Sequence, residues 1–245
     1  MYENIAKFYD RLGWSNFPLK LWEQMKIYLK QENFKPTNHL DIACGTGALS
    51  IKITSEGILS EGLDYSSEMI KSARNNAETA NLDIEFYHAD MRSFRLNNTY
   101  DLITCTYDSI NHLLSIDEWK QTFSSVKTHL NDNGLFVFDV NTLKALKERW
   151  NSININKDNL ENYLIQRGIY YEDKGIATAT FTAFTKEENG LYDSFEETFT
   201  EIAFPSSQIF NILKEIGFNN ITIADSNFNR LTNPDEEYRN VYICK

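Results

Sequence analysis

The period of the hydrophobic positions changes along the 245-residue chain, and the changes delimit its elements. From residue 1 to about residue 38, Ile5, Phe8, Tyr9, Leu12, Leu19, Trp22, Met25, Ile27 and Leu29 recur at roughly helical spacing. Pro18 suits the first turn of the second helix in this segment, and Pro36 closes it. Short, nearly continuous apolar runs then stand at 40–44, 58–64, 84–89, 100–106 and 135–140, which predicts strands buried on both faces. Helical stretches fall between them at 48–55, 66–77 and 116–130. The second opens on Ser66 with Glu68 in its first turn, and the third ends at an Asn131-Asp132-Asn133-Gly134 turn. Alternating strands and helices predict a doubly wound α/β fold around a parallel sheet.

After residue 140 the pattern changes. Residues 151–159 are polar and turn-rich. Runs at 166–171, 176–185 and 192–204 then alternate and are rich in β-branched and aromatic side chains, with turn signals at Asp173-Lys174-Gly175 and Glu188-Asn189-Gly190. They predict an antiparallel meander. Pro205 precedes a helix at 207–216 that Gly217 stops, and 221–224 and 238–244 supply two closing strands. The expected organisation is an α/β core, residues 1–145 and 205–245, carrying a β insert, residues 146–204, as a cap over the substrate site.

Composition narrows the class. Hydrophobic residues make up 42% of the chain and charged residues 24%, as in globular proteins generally. No run approaches the ~18 apolar residues of a membrane span, and the N-terminus lacks a signal-peptide core, so no membrane is expected as a partner. Three scattered cysteines, Cys44, Cys105 and Cys244, suit neither a disulfide framework nor a zinc site, and a cytoplasmic setting is expected. With 35 acidic against 24 basic residues the net charge is −11, and no basic cluster stands out. Such a surface repels phosphate backbones, so nucleic acid is not expected as a partner and a cationic or neutral small molecule fits better. No His-x-x-x-His pair or Gly-x-Ser-x-Gly elbow occurs, so neither metal ligation nor a serine nucleophile is expected.

Ligands of an open parallel sheet bind beyond the carboxyl ends of its strands, where the strand order reverses. At those ends stand Asp41 to Gly47, then Asp64, then Asp90-Met91, then Tyr107 to His112. The glycine run Gly45-Thr46-Gly47-Ala48-Leu49-Ser50 lacks the third glycine of a dinucleotide fingerprint and the lysine of a P-loop. Asp41, just ahead of the turn, would repel a pyrophosphate. A ligand that tolerates that acid is cationic or uncharged there, and S-adenosylmethionine fits, with its sulfonium, its α-ammonium and no phosphate.

Leu40-Asp41-Ile42-Ala43-Cys44-Gly45-Thr46-Gly47, Asp64 and His88-Ala89-Asp90-Met91 closely resemble three successive motifs of the class I S-adenosylmethionine-dependent methyltransferases. The resemblance runs over residues 35–140 and implies a Rossmann-like, seven-stranded methyltransferase sheet. Within that family, Lys7-Phe8-Tyr9-Asp10 and Asp108-Ser109-Ile110-Asn111-His112-Leu113 are similar to segments of the amino-sugar N,N-dimethyltransferases. The segment holding Trp22 is similar to one in glycine N-methyltransferase, where a tryptophan lies against the cofactor.

The resemblance implies that Asp64 accepts both ribose hydroxyls, and that Ala43 and Gly45 offer backbone groups to the methionine moiety. Asp41 would order the glycine loop or meet the ammonium through water. Asp90 would bind the adenine amino group and Met91 pack on the ring. Tyr65, Met69 and Tyr107 would line the cofactor, with Trp22 beside it. His112 is the candidate base, and Tyr9 the candidate for closing over the methyl donor or orienting the acceptor. His39, His88 and His129 read as structural. The expected activity is methyl transfer to a small molecule, with an amine nitrogen favoured over oxygen or carbon. An RNA or protein methyltransferase, or a non-catalytic cofactor-binding regulator, are the rival readings.

Overall fold

The computed structural model describes residues 6, 9–10, 13–157, 161–187 and 189–245. The first expected helix, with Ile5, Phe8 and Leu12, lies outside them. The second is α1, Asn16–Gln31, which buries Leu21, Trp22, Met25 and Leu29 along one face.

Seven strands form the main sheet: β1 Asn38–Ile42, β2 Leu59–Asp64, β3 Phe86–His88, β4 Tyr100–Cys105, β5 Leu130–Asn141, β10 Ile221–Ala224 and β11 Arg239–Cys244. Their order is β10-β11-β5-β4-β1-β2-β3. The first five in sequence are mutually parallel, and β11 runs antiparallel to both β5 and β10. The order reverses between β1 and β4, where such sheets bind ligands. Helices α2 Ala48–Ser55, α3 Ser67–Thr79, α4 Ile116–His129 and α6 Ser206–Ile216 supply the layers. The apolar runs are buried on both sides, as the period of two requires. On β5, Phe136, Phe138 and Val140 join one core cluster with Trp119 and Phe123 of α4, while Leu135 and Val137 join another with Trp22 and Met25 of α1.

The insert forms its own antiparallel sheet, β6-β7-β8-β9: β6 Ile153–Lys157, β7 Tyr163–Tyr171, β8 Ile176–Lys186 and β9 Tyr192–Ile202. Leu164, Ala179, Phe181, Ala183 and Phe199 are buried on one of its faces, against Trp14 and Trp150.

Three expectations need correction. The polar stretch after residue 150 is not all loop, because Ile153 and Ile155 alternate with asparagines and pair along β7 as an exposed edge strand. A turn-rich composition hid that alternation. β7 also begins three residues before the expected position, at Tyr163. Asn131 to Gly134 is not a turn separating α4 from the strand. Tyr100 pairs with Leu130 and Leu102 with Leu135, so these four residues are an irregularity within β5. A further helix, α5 Leu143–Arg149, capped by the Thr142 hydroxyl on the Ala145 N–H, lies in a stretch given no element by periodicity.

Candidate active site

Nine of the twelve candidate residues line one cavity: Tyr9, Ala43, Gly45, Asp64, Tyr65, Met69, Met91, Tyr107 and His112, joined by Ser66 and Ser109. Asp41 lines an adjoining cavity that shares Tyr9, Ala43, Gly45, Tyr107 and Ser109 with the first. Trp22 and Asp90 line neither. Trp22 is 1% exposed inside the α1 core, and its indole N–H donates to Glu56 Oε2 at 2.9 Å. The Asp90 carboxylate accepts from the Arg92 backbone N–H at 2.9 Å and from its guanidinium, which also pairs with Glu118. These bonds, led by the one to the Arg92 side chain, hold Asp90 below its ordinary pKa. Its carboxylate serves Arg92 here, and Met91 is the member of that segment that faces the cavity.

The glycines divide the work. At Gly45, φ +54°, an added Cβ would meet nothing nearer than the Tyr9 ring at 3.9 Å, so the backbone lies open to the cavity. At Gly47, φ +78°, a Cβ would stand 2.8 Å from the Phe86 ring and 3.0 Å from Ala73, so core packing forbids a side chain there.

Asp64, at the end of β2, accepts from the Gly45 N–H at 2.9 Å and the Ser66 N–H at 2.8 Å. It thereby ties the glycine loop to the start of α3. Burial raises its pKa, and the two backbone bonds work against that shift. Asp41 is 2% exposed and accepts from the Thr104 hydroxyl at 2.9 Å and the Ser50 hydroxyl at 3.4 Å. Because Thr104 donates to Asp41, it accepts from His39 Nε2–H at 2.8 Å, and His39 Nδ1 accepts from the Ser60 hydroxyl at 2.7 Å. Burial lowers the His39 pKa to about 3, so the ring is neutral and relays hydrogen bonds. Burial likewise raises Asp41 to about 7, against the two hydroxyl bonds and with the help of nearby Asp64.

After β4 the backbone takes a strained path. Tyr107 (φ +62°) and Asp108 (φ +52°) are consecutive non-glycine residues in the left-handed region, at a cost of about 1–2 kcal/mol each. Their two N–H groups converge on the buried Asp139 carboxylate, at 2.6 and 3.1 Å. Arg239, from β11, forks onto Asp139 and onto Asp108 Oδ1 at 2.7 Å, and its guanidinium lies 4.5 Å from the centre of the Phe17 ring. Asn141 bonds Asp108 Oδ2 at 3.0 Å and Glu201 Oε2, on β9, at 2.9 Å. Asn111 clamps the following 3-10 turn, Ser109–His112, to the carbonyls of Asn141 and Ile202. None of Asp139, Asn141, Glu201 and Arg239 was singled out by motif, although the lone acid in Leu135-Phe136-Val137-Phe138-Asp139-Val140 was a legible signal. Arg239 stands 100 residues beyond its partner and gave none.

His112 Nδ1–H donates to the Thr200 carbonyl at 3.1 Å, which assigns the basic lone pair of the neutral ring to Nε2. Burial lowers its pKa, against the upward pull of Asp108 and the Thr200 carbonyl. Burial and the neighbouring Tyr107, Asp108, Asp64 and Asp10 push the Tyr9 phenol well up, so it stays protonated. Among the described residues neither cavity wall includes a lysine or an arginine. An acidic wall with an open glycine backbone suits a ligand bearing an ammonium and a sulfonium, and it does not suit a pyrophosphate.

Comparison with known proteins agrees. Residues 40–134 match a family described as a methyltransferase domain. A protein of Geobacillus sp. (strain WCH70), provisionally named a methyltransferase, is 28% identical over 225 residues, 91% of each chain. The dTDP-3-amino-3,6-dideoxy-α-D-glucopyranose N,N-dimethyltransferase of Streptomyces fradiae is 30% identical over 111 residues, 45% of this chain and 42% of its own. The crystal structure of an S-adenosylmethionine-dependent methyltransferase from Clostridium acetobutylicum ATCC 824 superposes with a TM-score of 0.86 at 25% identity, covering 100% of this chain and 98% of that one. The strand order, the glycine loop against Asp64 and these likenesses together identify a methyltransferase domain over residues 40–134 and make the chain similar to the S-adenosylmethionine-dependent methyltransferases.

Proposed function

We propose that the chain methylates a small molecule at an amine nitrogen, in the chamber between the cofactor cavity and a cap formed by residues 146–204. The observation that carries this reading is the tautomer of His112, whose Nδ1–H is committed to Thr200 while its ring lines the same cavity as Asp64. An amine must lose its proton to act as a nucleophile, and a positioned base adds about 10²- to 10⁴-fold. Bound S-adenosylmethionine supplies the activated methyl group. Asp64 would hold the ribose, Gly45 and Ala43 the methionine backbone, and Tyr65, Met69 and Met91 the adenine. Tyr9 and Tyr107 would close the wall around the reacting centre and keep water out. The acidic wall favours an ammonium-bearing acceptor over a neutral alcohol, and the likeness to a sugar N,N-dimethyltransferase supports nitrogen as the accepting atom. The aromatic inner face of the insert, where Phe181 packs on Trp14 and Phe199 lies 6.1 Å from His112, suits an acceptor with an apolar face.

His112→Asn is expected to lower kcat by about 10²-fold or more on an amine acceptor while the S-adenosylmethionine Kd stays within about threefold. Near-normal turnover with an unshifted pH profile would remove the base role. Because the His112 pKa lies below the ordinary imidazole value, its acid limb, seen as rate falling when pH drops through that pKa, should lie below about pH 6.5. Turnover of a panel of primary and secondary amines, set against their alcohol analogues and a transfer-RNA preparation, tests the acceptor class.

Asp41 gives a second pH dependence. A cationic ligand favours the ionised carboxylate, so below a pKa of about 7 binding must first expel a proton. The affinity for S-adenosylhomocysteine, whose α-ammonium keeps its proton through this range, is expected to rise about fivefold between pH 6 and 7, to about tenfold by pH 8, and to level off above that. Asp41→Asn should flatten the curve, and a flat wild-type curve would contradict the assignment.

A further inference from the structure

Around the β4 loop, two buried carboxyl groups, Asp139 and Glu201, and the partly exposed Asp108 stand about one guanidinium, Arg239. Arg239 bonds Asp108, Asp139 and Asn141, and among the described residues no hydrogen bond joins it to Glu201. Glu201 is 3% exposed, and it shares the amide nitrogen of Asn141 with Asp108, at 2.9 and 3.0 Å. Two carboxylates flanking one amide cannot both remain charged away from water. Among the described residues no second cation pairs with Glu201. The β8 residue opposite Glu201 is Ala177, the next residue on the same face of β9 is Phe199, and the 3-10 turn brings a neutral His112.

We infer that Glu201 is a positioning residue that stays protonated, gives its O–H to the Asp108 carboxylate, and so latches cap strand β9 onto the loop carrying Tyr107 and His112. Burial, then the charge of Asp108 and the bond to it, push the Glu201 carboxyl well above the usual range. Burial also works to raise Asp108, but Arg239 and the bond from Glu201 outweigh it and hold Asp108 ionised. Asp108, on the loop side, thus stays charged while Glu201, on the cap side, stays neutral. The latch joins two segments 93 positions apart in sequence, Asp108 and Glu201, and its hydrogen bond is made only while the acid keeps its proton.

The consequence for turnover rests on the acceptor reading above, whereas the protonation state does not. The experiment therefore has two arms on the full-length chain. Infrared difference spectra of wild type minus Glu201→Gln at about pH 8, where an ordinary carboxyl is ionised, should contain a carboxylic-acid carbonyl band. Glutamine still offers a donor to Asp108, so Glu201→Gln should keep the S-adenosylmethionine Kd and amine turnover within about threefold. Glu201→Ala should keep that Kd but raise the acceptor KM by about tenfold or more. A missing acid band, or a Glu201→Gln variant as impaired as Glu201→Ala, would overturn the inference. If no amine is turned over by the wild type, the acceptor reading fails and the infrared arm still decides the latch.

Discussion

Asp64→Ala is expected to weaken S-adenosylmethionine binding by about 10²- to 10⁴-fold while leaving the far-ultraviolet circular dichroism unchanged, since each of two hydrogen bonds to a charged acceptor contributes roughly 1.5–3 kcal/mol. The fold tolerates the change for a physical reason. Burial already disfavours the Asp64 carboxylate, so deleting it removes a desolvated charge from the end of β2. The Gly45 and Ser66 N–H groups that it satisfies border the cavity, where water can replace it. Asp64→Asn, which keeps an acceptor oxygen for one of those groups, should lose less. Calorimetry giving an unchanged Kd for the alanine variant would remove Asp64 from the cofactor site.

Arg239→Met is expected to destabilise the protein by about 3–5 kcal/mol and to lower Tm by about 10 °C, because removing one partner of a buried ion pair strands the other. Two carboxylates lose their counter-charge at once, and Asp139 would then meet the strained Tyr107–Asp108 backbone without neutralisation. The damage should reach function as well, since that backbone carries Tyr107 into the cavity wall. Arg239→Lys should fall between the two, as a single ammonium cannot fork across Asp108 and Asp139. Differential scanning calorimetry of the three proteins tests this. A methionine variant within about 1 kcal/mol of wild type would mean that the pair contributes little.

Local pattern made much of this molecule readable. The five parallel strands announced themselves because strands buried on both faces cannot hide their apolar runs, and the acids at their ends stood out against that background. Ala43, Gly45, Asp64, Met91, Tyr107 and His112 stood out by their place at the strand ends beside the switch point, whereas Tyr9, Tyr65 and Met69 were named only through the family resemblance; all nine line one cavity. Trp22 shows the limit of spacing. Its distance from the glycine loop matched a relative's, but helical phase turned it into the α1 core, where Glu56 takes its N–H. Asp90 shows the limit of motif matching, because Arg92, two residues on, occupies its carboxylate.

What the sequence could not give was the support beneath the site. Arg239, Asp139, Asn141 and Glu201 come from three strands far apart in the chain, and only the β11–β5 pairing and the packing of β9 on the 3-10 turn bring them together. The edge strand β6 was missed for a different reason. Alternating Ile and Asn in a turn-rich stretch becomes a strand only when β7 offers a ladder.

Asp64 and the glycine loop are expected to hold S-adenosylmethionine with its methyl group facing Tyr9 and His112. A crystal structure with S-adenosylhomocysteine tests it most directly. Both ribose hydroxyls are expected on the Asp64 carboxylate, adenine between Tyr65, Met69 and Met91, and the sulfur in the part of the cavity walled by Tyr9, Tyr107 and His112. A ribose bound away from Asp64, or a sulfur turned from His112, would contradict it.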